Sequence, residues 1–153
     1  MAKKQPKIKS IEETLWESAN KLRGSVEPSE YKHVVLSLIF LKYANDRFEE
    51  RRNELIADGK EAFVDQAVFY NARNVFYLEE QSRWNFIMEN AKQNDIAIKI
   101  DKALESVERS NPSLKGALPS NYYSGLGLDR AKLAALLDEI NKIDTLKDPE
   151  NDL

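Results

Sequence analysis

The 153-residue chain contains no cysteine and only one histidine, His33. Without thiols there can be no disulfide framework, no thiolate metal site and no cysteine nucleophile. One imidazole is also too few for a di-metal bundle. Glu30 stands three residues before His33, but carboxylate-bridged sites need two such Glu-x-x-His pairs, so His33 is expected at a helix surface or core edge. Long apolar runs are missing as well. The longest, Val34 to Leu41, is interrupted by Ser37 and followed by Lys42, whereas a membrane span takes ~20 residues. The basic start from Met1 to Ser10 leads into an amphipathic stretch instead of the apolar block of a secretion signal, and a cytoplasmic location is expected. Nor is there a basic excess: 23 Lys and Arg against 26 Asp and Glu give a formal net charge of −3. A duplex-binding module that acts alone draws much of its affinity from neutralising phosphates. Any DNA contact here calls for a local basic patch or a partner.

What is present is the composition of a globular domain, 42% hydrophobic and 32% charged, in a chain long enough to bury a core. Residues 1–9, with Lys3, Lys4, Lys7 and Lys9, read as a solvated tail, with a polyanion-binding arm as the sharper alternative. Ser10 with Glu13 forms a capping box, Ile11, Leu15, Ala19 and Leu22 follow at helical spacing, and Gly24 closes a first helix. Pro28 suits the first turn of a second helix that runs to Ala57 before Gly59, ~30 residues or ~45 Å. Its first half, from Val34 to Ala44, is apolar nearly all round and must be covered on several sides. The second half, from Asn45, turns amphipathic and is expected to project to the surface.

Lys60 to Asn74 is ambiguous, and Val75 to Leu78 favours one short β-like segment at most. Helical spacing returns at Trp84, Ile87, Met88 and Ala91. It recurs after Asp95, a cap for Ile96, Ile100, Ala103, Leu104 and Val107, ending at Asn111-Pro112. Residues 113–128 form a connecting loop, and Asp129 caps a last helix with Leu133, Leu136, Leu137 and Ile140. The fold class predicted is all-α, about five or six helices around a long central one, spanning residues 10–145, with 146–153 a polar tail.

Signatures of chemistry are sparse. No serine sits in a Gly-x-Ser-x-Gly elbow. Gly125-Leu126-Gly127-Leu128 follows no parallel strand, as a nucleotide-cradling turn should. Asn111-Pro112-Ser113-Leu114 invites comparison with the Asn-Pro-Pro-aromatic motif that holds a flipped base, but serine and leucine replace the second proline and the aromatic. Catalytic, cofactor-binding and metal-ligating residues are therefore expected to be absent. Two features remain open. Arg47 and Arg51 share a helix face, with Arg52 beside them and Glu49, Glu50 and Glu54 interleaved; this is either a solvated mixed face or a phosphate or partner contact. Tyr122 and Tyr123 lie in a loop and suit either an interface or an anchor packed on the domain itself.

Longer stretches are familiar. Leu22-Arg23-Gly24, Ser29 to Leu36, Leu38 to Tyr43 and Phe48 to Arg52, then Arg83-Trp84, Asn90-Ala91-Lys92, Asn111 to Gly116 and Leu118-Pro119, resemble the N-terminal helical domain of the modification subunit of type I restriction-modification systems. The resemblance covers roughly Ile11 to Ile143. It implies a parent protein that methylates adenine N6 in DNA with S-adenosylmethionine, in a catalytic domain lying beyond this chain, and a part in bacterial defence. It implies a chain that is not catalytic alone and needs no cofactor of its own. It also implies a second modification subunit, a specificity subunit and DNA as partners, with the restriction subunit a further candidate. The expected role is subunit assembly and enclosure of DNA, with Arg47, Arg51, Arg52, Tyr122 and Tyr123 as contact candidates. A stand-alone helical adaptor unrelated to methylation is the alternative.

Overall fold

Pro28 opens a 30-residue helix, α1, that runs to Ala57. Proline suits the first turn because its missing N–H would have no intrahelical partner there. The helix ends as Gly59 requires. With φ +76°, Gly59 turns the chain back, so that its N–H reaches the Ile56 carbonyl at 3.1 Å and that of Lys60 reaches Leu55 at 2.7 Å. That pair of bonds is a Schellman cap. The computed structural model describes residues 28–146; the basic tail, the helix expected from Ser10 to Gly24 and the residues after 146 lie outside them.

Four further helices follow: α2 (Val68–Asn71), α3 (Trp84–Glu89), α4 (Ile96–Ser110) and α5 (Arg130–Asn141). Short 3-10 turns at 61–63, 80–82, 112–114 and 123–125 join them. No strand occurs among the described residues, and the class is all-α. The core is one cluster in which Val34, Leu38, Leu41, Phe48 and Leu55 of α1 meet Ile96, Ile100, Leu104 and Val107 of α4 and Leu133, Leu136, Leu137 and Ile140 of α5. Full burial of each such side chain contributes roughly 1.5–3 kcal/mol.

The second half of α1 does not project. Phe48 and Leu55 are fully buried, and even Arg51 is only 8% exposed. The reason lies in residues 61–78, which fold back over it: Tyr70 stacks on Phe48 at 4.8 Å, Tyr77 meets the same ring edge-on at 5.7 Å, and the Arg83 guanidinium lies over it at 4.8 Å. Conversely, the first half is not covered on every side. Leu36 is 53% and Tyr43 44% exposed, and their separation of seven residues puts them on one face.

The β-like segment at 75–78 takes no part in a sheet. Buried Asn111 stands in for a neighbouring strand: its Oδ1 accepts the Tyr77 N–H at 2.9 Å and its Nδ2 donates to the Tyr77 carbonyl at 2.9 Å. Asp95 does occupy the N-cap position of α4, but its carboxylate pairs with Lys99 at 3.0 Å and makes no bond to the backbone. Asp129 caps α5 as expected, accepting the Lys132 N–H at 2.9 Å.

Candidate functional site

Arg47 and Arg51 share the face of α1 that the spacing predicts, but their surroundings differ. The Arg47 side chain is 39% exposed and pairs with Glu50 at 2.8 Å. That of Arg51 is 9% exposed, donating from Nε to the Phe69 carbonyl at 2.9 Å and from Nη1 to Glu54 at 3.1 Å. It thus fastens the returning 61–78 segment to α1. Arg52 leaves this face. It follows Phe48 by one turn and is partly exposed, and its Nε is buried without an acceptor among the described residues.

A third arginine, Arg73, arrives from the turn after α2. Together Arg47, Glu50, Arg51, Glu54, Arg73 and Val75 line a cleft of about 290 Å³. The turn that carries Arg73 is closely held. Val75 N–H bonds back to Tyr70 at 3.0 Å, Asn71 Nδ2 donates to the Val75 carbonyl at 3.1 Å, and Asn74 closes the turn at φ +61°. Arg73 lies 22 residues from Arg51, so no spacing in the sequence joins the two. The only local signal was the pair of asparagines around it, which suit left-handed turn positions.

Tyr122 and Tyr123 are spent within the domain. Tyr123 is wholly buried and its hydroxyl donates to the Val34 carbonyl of α1. Burial pushes its phenol well above the ordinary range. Asp101 of α4 accepts the N–H groups of Tyr123 at 2.8 Å and Ser124 at 2.9 Å, capping the turn at 123–125. The Tyr122 hydroxyl donates to Glu30, and burial, followed by that carboxylate, raises its phenol strongly too. Glu30 is therefore engaged with Tyr122, while His33 is exposed.

Elsewhere the chemistry is structural. Asn111 makes four hydrogen bonds, to Asn71, to both backbone groups of Tyr77 and to the Val107 carbonyl. The Asn111-Pro112 pair thus acts as a clamp on the fold. Two adjoining grooves share Lys42, Asp46, Glu49 and Asn141: one of about 560 Å³ between α1 and the end of α5, and one of about 480 Å³ between α1 and α3. Asp46 in their floor is already engaged by Lys42 at 2.6 Å and by Thr145 at 2.6 Å. Among the described residues no group of three or more His, Asp or Glu is placed to hold a metal ion, and no helix is long and apolar enough to cross a membrane.

The family model of the HsdM N-terminal domain matches residues 11–142. The chain belongs to that family. One relative of the HsdM N-terminal domain described here is the type I restriction enzyme MjaIX methylase subunit of Methanocaldococcus jannaschii, 32% identical over 148 residues. The match takes in 87% of this chain and 26% of the relative, so the chain spans about a quarter of the length of that subunit. The resemblance seen in the sequence, down to the helical domain of a type I modification subunit, is thereby established.

Proposed function

We propose that this HsdM N-terminal domain serves assembly and DNA enclosure within a type I restriction-modification methyltransferase, and carries out no catalysis itself. The parent subunit transfers a methyl group from S-adenosylmethionine to adenine N6 in a domain beyond this chain, in the cytoplasm. The partners are a specificity subunit, a second modification subunit and DNA. Arg47 is the leading contact residue; Arg51 supports it from a buried position with Arg52 beside it, and Tyr122 and Tyr123 stiffen the domain at the start of α1.

The observation that carries this reading is the outer face of α1. Leu36 and Tyr43 are exposed there, and Arg47 follows Tyr43 by one turn. Aromatic and arginine side chains are the types enriched where proteins associate. The match to a quarter of a methylase subunit supplies the context.

Native mass spectrometry of the complete modification subunit with its specificity subunit tests the proposal. Leu36→Asp with Tyr43→Asp is expected to reduce the population of the full complex while leaving the domain folded by circular dichroism. Complex formation at the wild-type level would remove the assembly role from this face. Labelled S-adenosylmethionine incubated with this chain and duplex DNA should yield no methylated DNA, and methyl transfer would contradict the non-catalytic assignment.

A further inference from the structure

We infer that the cleft formed by Arg47, Arg51 and Arg73 is a binding site for a phosphate group of the DNA backbone. The inference rests on the DNA-enclosing role and deepens it to a specific set of side chains.

The charge balance in the cleft is the first argument. Three arginines meet two glutamates, and each glutamate is held by one arginine, Glu50 by Arg47 and Glu54 by Arg51. The Arg73 guanidinium has no hydrogen-bond or ion-pair partner among the described residues. The cleft therefore carries one uncompensated positive charge, in a chain whose net charge is −3.

Geometry is the second argument. Arg51 forms a fixed floor: its side chain is nine-tenths buried, and two of its nitrogens are tied to Phe69 and Glu54. Arg73 stands on the hydrogen-bonded turn that Asn71 and Asn74 close, so its backbone is already fixed when an anion arrives. Planar guanidinium forks pair with phosphate oxygens through two N–H bonds at once, which an ammonium group cannot do. The two glutamate side chains are 45% and 52% exposed. They can swing into water as a phosphate takes their place, at small cost because exposed ion pairs contribute little.

Arg47 and the turn at Arg73 are both at the surface, so a backbone phosphate can reach them without opening the fold. No base edge needs to be read, in keeping with a domain that encloses DNA while a partner supplies sequence recognition.

The test uses the complete modification subunit assembled with its specificity subunit, with affinity for a duplex oligonucleotide measured across a salt series. Arg73→Gln is expected to weaken binding several-fold at low salt and to reduce the slope of log affinity against log salt by about one. Arg73→Lys should retain most of that slope. Arg109→Gln, on an exposed arginine paired with Glu79 outside the cleft, should leave it unchanged. Wild-type affinity and slope for Arg73→Gln in a complex that still binds DNA would overturn the phosphate site while leaving the enclosing role intact. Loss of no DNA affinity when the whole domain is removed would instead sink the enclosing role. A second readout follows the arginine Nε–H resonances of this chain during titration with inorganic phosphate and then with duplex. Shifts of Arg47, Arg51 and Arg73 in both support the site. Shifts with phosphate alone would mean an anion site that DNA does not use, and no shift in either would end the proposal.

Discussion

Asn111 holds Asn71, Tyr77 and Val107 together through a single buried amide. In Asn111→Ala the Tyr77 N–H and two carbonyls lose their partner, and each buried orphan costs ~1–3 kcal/mol. The variant should unfold at a clearly lower urea concentration, with a loss of about 2–4 kcal/mol once partial hydration is allowed for. An unchanged midpoint would show that water replaces the amide. Tyr122 and Tyr123 give a pH signature. Their phenols are raised above the ordinary value of 10.0 by burial first, so the folded state keeps protons that the unfolded chain releases. Their contribution is complete below pH ~10 and falls away as pH rises from there toward the folded values. Denaturant titrations should show stability declining above pH 10, less steeply in Tyr122→Phe. Much at this scale was hidden in the sequence. That Tyr123 is an anchor depends on Val34 and Asp101, which lie 89 and 22 residues away, and no local pattern encodes such pairings. Arg73 was missed for the same reason.

Elements were more legible where the signal is local. Pro28 and Gly59 bracket α1 because a missing N–H and a left-handed turn are properties of single residues, and the spacing of Leu133, Leu136, Leu137 and Ile140 marks the buried side of α5. Reading failed where a distant segment decided the outcome. The mixed charges after Asn45 suggested a projecting helix, yet Phe48 is covered by Tyr70 and Tyr77 from the returning loop. Likewise the β-prone residues 75–78 found an asparagine side chain in place of a second strand. Gly59→Ala tests the end of α1. A Cβ there meets nothing within 4 Å, so the cost is backbone strain alone, about 1–2 kcal/mol. A larger loss in thermal or urea unfolding would mean that the helix end does more than turn the chain. Asn45 tests the joint between α1 and α3. Its Oδ1 accepts the Trp84 N–H at 2.8 Å, as an N-cap residue would, and Asn45→Ala should cost about 1–2 kcal/mol. A loss under ~0.5 kcal/mol would show that the cap is replaceable.

At the largest scale the described residues form a helical body whose polar side chains mostly secure its own loops, while α1 keeps Leu36 and Tyr43 exposed. Its class was readable from periodicity, and its family from long ordered stretches of α1 and of the segment around Asn111. The proposed contact surface was only half readable. The sequence pointed to Arg47, Arg51 and Arg52, with Tyr122 and Tyr123, while folding brought Arg73 beside Arg47 and Arg51. The most direct measurement is the lifetime on duplex DNA of the assembled complex, made once with the complete modification subunit and once with a subunit lacking this domain. The account predicts fewer complete complexes and markedly faster release of DNA without the domain, while the remaining subunit still binds S-adenosylmethionine. Equal assembly and equal lifetimes would contradict it.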